Sequence, residues 1–84
     1  MAYKQLTKLI REKTQRKETI ETKVLNLYEA SNPSLYYVYE VLGDYYAAIQ
    51  QIDTAITYWQ KALTMPIHKQ AEKVRIQQKI NKNQ

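Results

Sequence analysis

Apolar residues recur at three- and four-residue intervals along most of this chain, which is the period of an amphipathic helix. The clearest helical face lies within 35–49, and it comprises Leu35, Val38, Tyr39, Leu42, Tyr46 and Ile49. A second face lies within 54–64 and a thinner one within 67–81. We therefore expect an all-α protein in which residues 34–66 form an antiparallel helical hairpin and 67–82 a C-terminal capping helix.

The first 31 residues carry two helical stripes separated by a polar gap. The stripes consist of Leu6, Leu9 and Ile10, and of Ile20, Val24, Leu27 and Tyr28. Residues 11–19 contain no apolar side chain, and neither Gly nor Pro marks a break. Two interpretations stay open for 3–31. The favoured one is a single long helix with charge pairs such as Glu12–Arg16 in its middle turns, and the other is two helices with a break near 14–17.

Turn and cap residues predict the boundaries of the hairpin. Pro33 suits the first position of a helix, where its missing N–H is not needed. The turn is expected at 50–52, followed by Asp53 as the N-cap of the second helix. Pro66 disfavours helical geometry in the residue before it and so ends that helix. Gly43 lies inside the first helix, where it costs up to about 1 kcal/mol relative to Ala, so we expect a close helix contact there.

Composition narrows the possible chemistry. Eighty-four residues correspond to one small domain, 1–84, and the absence of Cys excludes disulfides, thiolate metal sites and thiol nucleophiles. His68 is the only His, and no residues stand at metal-ligand spacing around it. Ser31 and Ser34 have no nearby His base, and there is no Gly-rich phosphate loop. We expect no catalytic residue, no metal and no cofactor.

The charge is unevenly distributed. The net charge is +5, with an acidic centre and basic ends at 1–23 and 67–84. Basic ends could contact nucleic acid phosphates in a salt-dependent way, although acidic residues interrupt them and only Tyr3 lies among them as a stacking aromatic. Nucleic-acid binding is therefore the less favoured alternative. No apolar run approaches a membrane span and no signal-peptide core is present, so we expect no membrane and favour a soluble, cytoplasmic protein.

Residues 39–66 resemble a known repeat signature. The tetratricopeptide repeat reads W-x2-L-G-x2-Y, then A-x3-F, then P, and the corresponding residues here are Tyr39, Leu42, Gly43, Tyr46, Ala55, Trp59 and Pro66. Tyr39 replaces the usual Trp, Pro66 comes one residue early, and Gln50 and Gln51 stand where a Gly commonly ends the first helix. A left-handed cap without Gly costs on the order of 1 kcal/mol. A straightened 34–64 helix exchanged between two chains is therefore the alternative to a sharp turn.

The resemblance implies a non-enzymatic protein–protein interaction or scaffold module, expected as the C-terminal domain of a larger protein. Because one repeat cannot bury its own faces, flanking helices or a second copy must cover them. The first helix of such a repeat usually lines a peptide-binding groove, which implies partner-binding positions at Tyr37, Glu40, Asp44, Ala47 and Ala48. The alternative is that these residues are ordinary surface or contact the N-terminal helix. Tyr36, Tyr45 and Tyr58 are further interface candidates, with packing against the flanking helices as the alternative.

Overall fold

The computed structural model describes residues 3–84, which form α-helices joined by short connections. Its five helices are α1 Tyr3–Arg16, α2 Thr22–Ser31, α3 Tyr36–Ala48, α4 Ile52–Leu63 and α5 Gln70–Asn83. No strand occurs within this range. The predicted all-α class is confirmed.

Helix α3 is the centre of the molecule. It packs most extensively against α4, and it also contacts α1 and α2, while α5 packs on α4. Seven of its residues are buried: Val38, Tyr39, Glu40, Val41, Leu42, Gly43 and Tyr45. Only two residues of this helix, Glu40 and Asp44, carry a charge. Such a composition allows nearly every side of the helix to be covered.

The N-terminal region forms two helices, so the favoured single helix over 3–31 is wrong. Lys17 has a φ of 57°, in the left-handed region. Its N–H donates to the Thr14 carbonyl at 3.1 Å, and the Glu18 N–H donates to the Lys13 carbonyl at 3.0 Å. These two bonds form the Schellman motif that ends many helices. The Lys13 and Glu18 side chains add an ion pair of 3.4 Å, whereas Glu12 and Arg16 form none.

The buried side of α2 differs in part from its apolar stripe. The Ile20 N–H in the α1–α2 connection donates to the Tyr45 hydroxyl at 2.8 Å, which ties the connection to α3. Leu25 and Tyr28 point into the core, while Leu27 is 54% exposed. Leu27, which belongs to the apolar stripe seen in the sequence, therefore faces solvent, whereas Leu25, outside that stripe, is buried.

A second left-handed residue connects α3 to α4. Gln50 has a φ of 68°, its N–H donates to the Ala47 carbonyl at 3.1 Å, and the Gln51 N–H donates to the Tyr46 carbonyl at 2.9 Å. This is again a Schellman motif, completed without Gly. Helix α4 begins at Ile52 after Gln51 with no side-chain cap. Asp53 therefore lies in the first turn and is not the N-cap that was expected.

Gly43 lies where α3 meets α4, as its position inside a helix predicted. A Cβ atom placed on Gly43 would overlap Nε1 and Cδ1 of Trp59 and lie 2.9 Å from Cε2. The indole of Trp59 is only 2% exposed. The absent side chain thus makes room for the ring that fills the space between the two helices.

Helix α5 starts later than expected. Residues 66–69 are non-helical, and the helix runs from Gln70 to Asn83. Ile67, Ile76 and Ile80 are buried, whereas Ala71 and Val74, which were expected on the same face, are exposed. No helix of residues 3–84 is long and apolar enough to cross a membrane.

Candidate interaction cleft

An open cleft of about 320 Å³ lies between α1, α3 and α5. Its lining residues are Arg11 from α1, Tyr37, Glu40 and Asp44 from α3, and Glu72, Arg75 and Lys79 from α5. We call this feature the interaction cleft. It is lined by three cations, three carboxylates and one phenol. Helices α2 and α4 contribute no residue to its lining.

Glu40 forms the best-enclosed charge of the cleft. The side chain is 3% exposed, and its carboxylate accepts two hydrogen bonds from Arg75, at 2.8 Å from Nε and 2.7 Å from Nη2. Lys79 donates a third at 2.8 Å. Burial disfavours the charged form, but the bonds from Arg75 and Lys79 outweigh it and hold the pKa of Glu40 below its ordinary value. Glu40 therefore joins α5 to α3.

Asp44 lies one turn further along α3 and shares a cation with Glu40. Lys79 donates to its two carboxylate oxygens at 2.9 and 3.0 Å, and the Trp59 indole N–H donates to Oδ1 at 3.1 Å. Burial nevertheless raises the pKa of Asp44, with Lys79 and Trp59 acting in the opposite direction. The side chain is 37% exposed, so one side of this carboxylate remains open to the cleft.

Two tyrosines border the cleft. The Tyr37 hydroxyl accepts a hydrogen bond of 2.7 Å from Nη1 of Arg11, which joins α1 to α3 across the opening. Tyr36 is half-buried beside it, with ring planes at 76° and centroids 6.4 Å apart. Burial, followed by hydrogen bonding to Glu72, raises the pKa of Tyr36 to about 12. The Tyr36 hydroxyl therefore stays neutral at physiological pH, and the two rings offer an amphipathic contact surface.

The structure brings together three of the five predicted binding residues. Tyr37, Glu40 and Asp44 line the interaction cleft, whereas Ala47 and Ala48 lie half-buried at the end of α3, outside its lining. The Glu40 carboxylate is already paired with α5. The cleft surface that is open to a partner is thus provided mainly by Tyr37 and Asp44. Contact of any of the five with a partner stays a prediction.

Sequence reasoning missed the cleft residues of the flanking helices, which are Arg11, Glu72, Arg75 and Lys79. The sequence contains a signal for two of them, Arg75 and Lys79. Glu40 and Asp44 are four residues apart on α3, and Arg75 and Lys79 are four apart on α5. Equal spacing of opposite charges on two helices is what a side-by-side ion-paired contact requires.

The other candidate tyrosines pack inside the molecule. Tyr58 stacks between Tyr39 and Tyr46, with centroid separations of 6.4 and 5.4 Å, and Lys61 lies 4.7 Å from the Tyr39 ring centroid. Tyr45 is buried and accepts the hydrogen bond from Ile20. The Tyr45 contact agrees with packing against the N-terminal flanking region, whereas Tyr58 packs on α3 within the hairpin.

The cleft presents hydrogen-bond donors, hydrogen-bond acceptors and charged groups of both signs. Within residues 3–84, no group of three or more His, Asp or Glu side chains is arranged to hold a metal ion. His68 is exposed. No family model, no curated protein and no solved structure matches this chain. The tetratricopeptide resemblance therefore stays a prediction, which rests on the residues that carry it.

Proposed function

We propose that this chain is a non-enzymatic helical module that binds a protein or peptide partner in the interaction cleft. The observation that carries the proposal is the position of Tyr37 and Asp44. The tetratricopeptide resemblance implies a binding face for both, and both line an open cleft whose walls are two other helices.

The order of the helices supports this proposal. Helices α1, α3 and α5 line the cleft, and α2 and α4 do not. Helical repeat proteins place alternate helices along a concave surface and use that surface for binding. The same alternation is expected if α1–α2 and α3–α4 are successive repeat-like hairpins and α5 is the helix that covers the end.

The lining suits a polypeptide. A peptide presents backbone donors and acceptors together with side chains of either charge, and the cleft offers a partly open carboxylate at Asp44, the exposed guanidinium of Arg11 and the Tyr37 ring. Tyrosine and arginine are enriched in protein interfaces, because each provides a large contact area with a polar end.

A peptide-display selection tests the proposal even though the natural partner is not identified. The full chain is immobilised for the selection. Fluorescence anisotropy then measures the affinity of each selected peptide for the wild type and for a Tyr37→Ala, Asp44→Asn double variant. We expect the double variant to weaken binding about tenfold or more, since one central aromatic contact is typically worth about 1–2 kcal/mol.

A Thr57→Ala, Gln60→Ala variant is the matched control. Both residues are exposed on α4, which contributes nothing to the cleft lining, so binding should stay at the wild-type level. The proposal fails if no peptide is selected, or if the selected peptides bind the cleft variant as tightly as the wild type while its circular dichroism is unchanged.

A further inference from the structure

One face of α1 carries a row of basic side chains beside the interaction cleft. Lys4, Lys8 and Arg11 follow one another at intervals of four and three residues, which places them on the same side of the helix. All three are exposed, and together with Thr7, Glu12 and Gln15 they line a shallow furrow of about 360 Å³. We call these three residues the α1 basic row.

The cations of the α1 basic row form no ion pair within residues 3–84, and the same holds for Arg16, Lys17, Lys69, Lys73 and Lys82. The row is distinguished by its three cations lying on one helix face and lining one furrow. Lys13, Lys61, Arg75 and Lys79 each form an ion pair with a carboxylate. Arg11 instead donates to the Tyr37 hydroxyl at 2.7 Å, which holds its guanidinium at the edge of the cleft.

The furrow along α1 has a net positive charge, because its three cations exceed the single carboxylate of Glu12. In the neighbouring cleft, Glu40 is paired with Arg75 and Lys79, and Lys79 also pairs with Asp44. Arg11 lines both the furrow and the cleft, so a ligand lying along α1 would pass directly into the cleft.

We infer that the α1 basic row recognises an acidic segment of a protein partner. The inference rests on the proposed function and adds the chemical class of the ligand. Lys4 and Arg11 are separated by roughly 10 Å along the helix axis, given a rise of 1.5 Å per residue. Carboxylates three residues apart in an extended segment, or two turns apart on a helix, match that length.

The test uses a fluorescent, amidated peptide that repeats Glu-Ala-Ala, which places carboxylates three residues apart, together with a control peptide in which Gln replaces each Glu. Amidation removes the terminal carboxylate, so binding reports the side chains. We expect the acidic peptide to bind the full chain and the Gln peptide to bind at least about tenfold more weakly. Raised salt should weaken the acidic complex, because the cations are exposed.

A pair of charge-matched variants locates the binding site. Lys4→Gln, Lys8→Gln, Arg11→Gln should weaken the acidic complex about tenfold or more. Lys69→Gln, Lys73→Gln, Lys82→Gln removes the same charge from exposed positions at or near α5, and it should weaken binding less than about threefold. Equal losses in the two variants would overturn the inference, because they would report only the net charge.

Nucleic acid is the competing ligand class. A single-stranded oligonucleotide that displaces the acidic peptide, binds more tightly and loses its affinity in the α1 variant would overturn the acidic-polypeptide assignment. The peptide-display selection shows whether only the acidic ligand class is wrong or whether the proposed binding of a partner in the cleft is wrong as well. Selected peptides without acidic residues that still depend on Tyr37 would leave the proposed function standing and contradict the inference.

Discussion

Gly43 shows how a single absent side chain determines a helix contact. A methyl group at this position would overlap the Trp59 indole, and the indole cannot move freely because its N–H donates to Asp44 at 3.1 Å. The steric conflict competes with helix propensity, which favours Ala over Gly by about 1 kcal/mol. Overpacking of a buried contact typically costs about 1–3 kcal/mol, so the steric term should exceed the propensity term.

We predict that Gly43→Ala lowers the free energy of unfolding by about 1–2 kcal/mol, and that Gly43→Leu lowers it further. Chemical denaturation followed by circular dichroism measures the change. In a double-mutant cycle, Trp59→Phe should recover part of the loss, because the smaller ring vacates the overlapped volume. A stabilising Gly43→Ala would contradict the close contact between α3 and α4.

Gln50 carries a backbone conformation that its side chain disfavours. Its φ of 68° lies in the left-handed region, where a Cβ atom costs roughly 1–2 kcal/mol. Gln50→Gly should therefore raise the free energy of unfolding by about 0.5–1 kcal/mol, since relief of that strain exceeds the extra entropy of Gly in the unfolded chain.

Gln51→Gly is the matched control for Gln50→Gly. Gln51 is also exposed but has an ordinary φ of −102°, so Gly relieves no strain and should cost about 0.4–1 kcal/mol. The same chemical denaturation assay compares the two variants. Equal effects at both positions would contradict the left-handed turn.

Among the helices, those with strong internal patterns were predictable from the sequence. The α3–α4 pair, its connection near Gln50 and the close approach at Gly43 all follow from local spacing. The break at Lys17 did not, because a left-handed Lys held by two backbone bonds leaves no Gly or Pro to mark it.

Only the α3 residues of the cleft were predicted from the sequence. The residues that the other helices contribute were missed for a reason other than the one that hid the break at Lys17. Tyr37 and Asp44 were predicted as binding residues because the tetratricopeptide resemblance implies a groove along the first helix of the hairpin. Burial of Glu40 depends on Arg75, which lies 35 residues away. Which helix covers which face is a property of tertiary packing, and local periodicity carries no information about it. The sequence therefore predicts the α3 side of the cleft better than its walls.

The contact between α5 and α3 should respond to pH through Glu40. Its pKa is lowered in the folded state, so the stability it contributes is complete above the unfolded value near 4.5 and is lost as the pH falls through the folded pKa. Asp44 acts in the opposite direction. Its raised pKa means that its contribution favours the fold at low pH and is lost as the pH rises through the folded value.

We predict that Glu40→Gln costs about 2 kcal/mol at neutral pH, as expected for lost hydrogen bonds to charged groups, and that its stability falls less on acidification than that of the wild type. Arg75 is 44% exposed at its side chain, so water can solvate it when it is unpaired. Asp44→Asn should be neutral or stabilising at pH 7. Urea denaturation at several pH values compares the three proteins. If the free energy of unfolding fell equally with decreasing pH in the wild type and in Glu40→Gln, protonation of Glu40 would not be what weakens the contact between α5 and α3.

The assembled bundle covers the faces that a lone hairpin leaves open. Helices α1 and α2 pack against α3, and α5 packs on α4, within one chain. Among residues 3–84, the exposed large hydrophobic residues are Leu27 and Val74, on different helices, and no buried side-chain nitrogen or oxygen lacks a hydrogen-bond partner. A second copy is therefore not needed to complete the core. One chain that folds back at Gln50 buries its own apolar residues.

We therefore predict a monomer of 10.0 kDa in solution. The Cα radius of gyration is 12.0 Å, which agrees with about 12 Å expected for a compact chain of this length. An exchanged dimer with a straight helix over 34–64 would contain a rod of roughly 45 Å, longer than the 30 Å extent of the bundle. Small-angle scattering, together with the mass measured by light scattering, separates the two forms.

Gln50→Val is the informative variant, because a β-branched side chain makes the left-handed turn costlier and should raise the dimer fraction if a straight helix is accessible. A dimeric wild type with the longer dimension would show that the turn is not the stable form and that the cleft belongs to two chains.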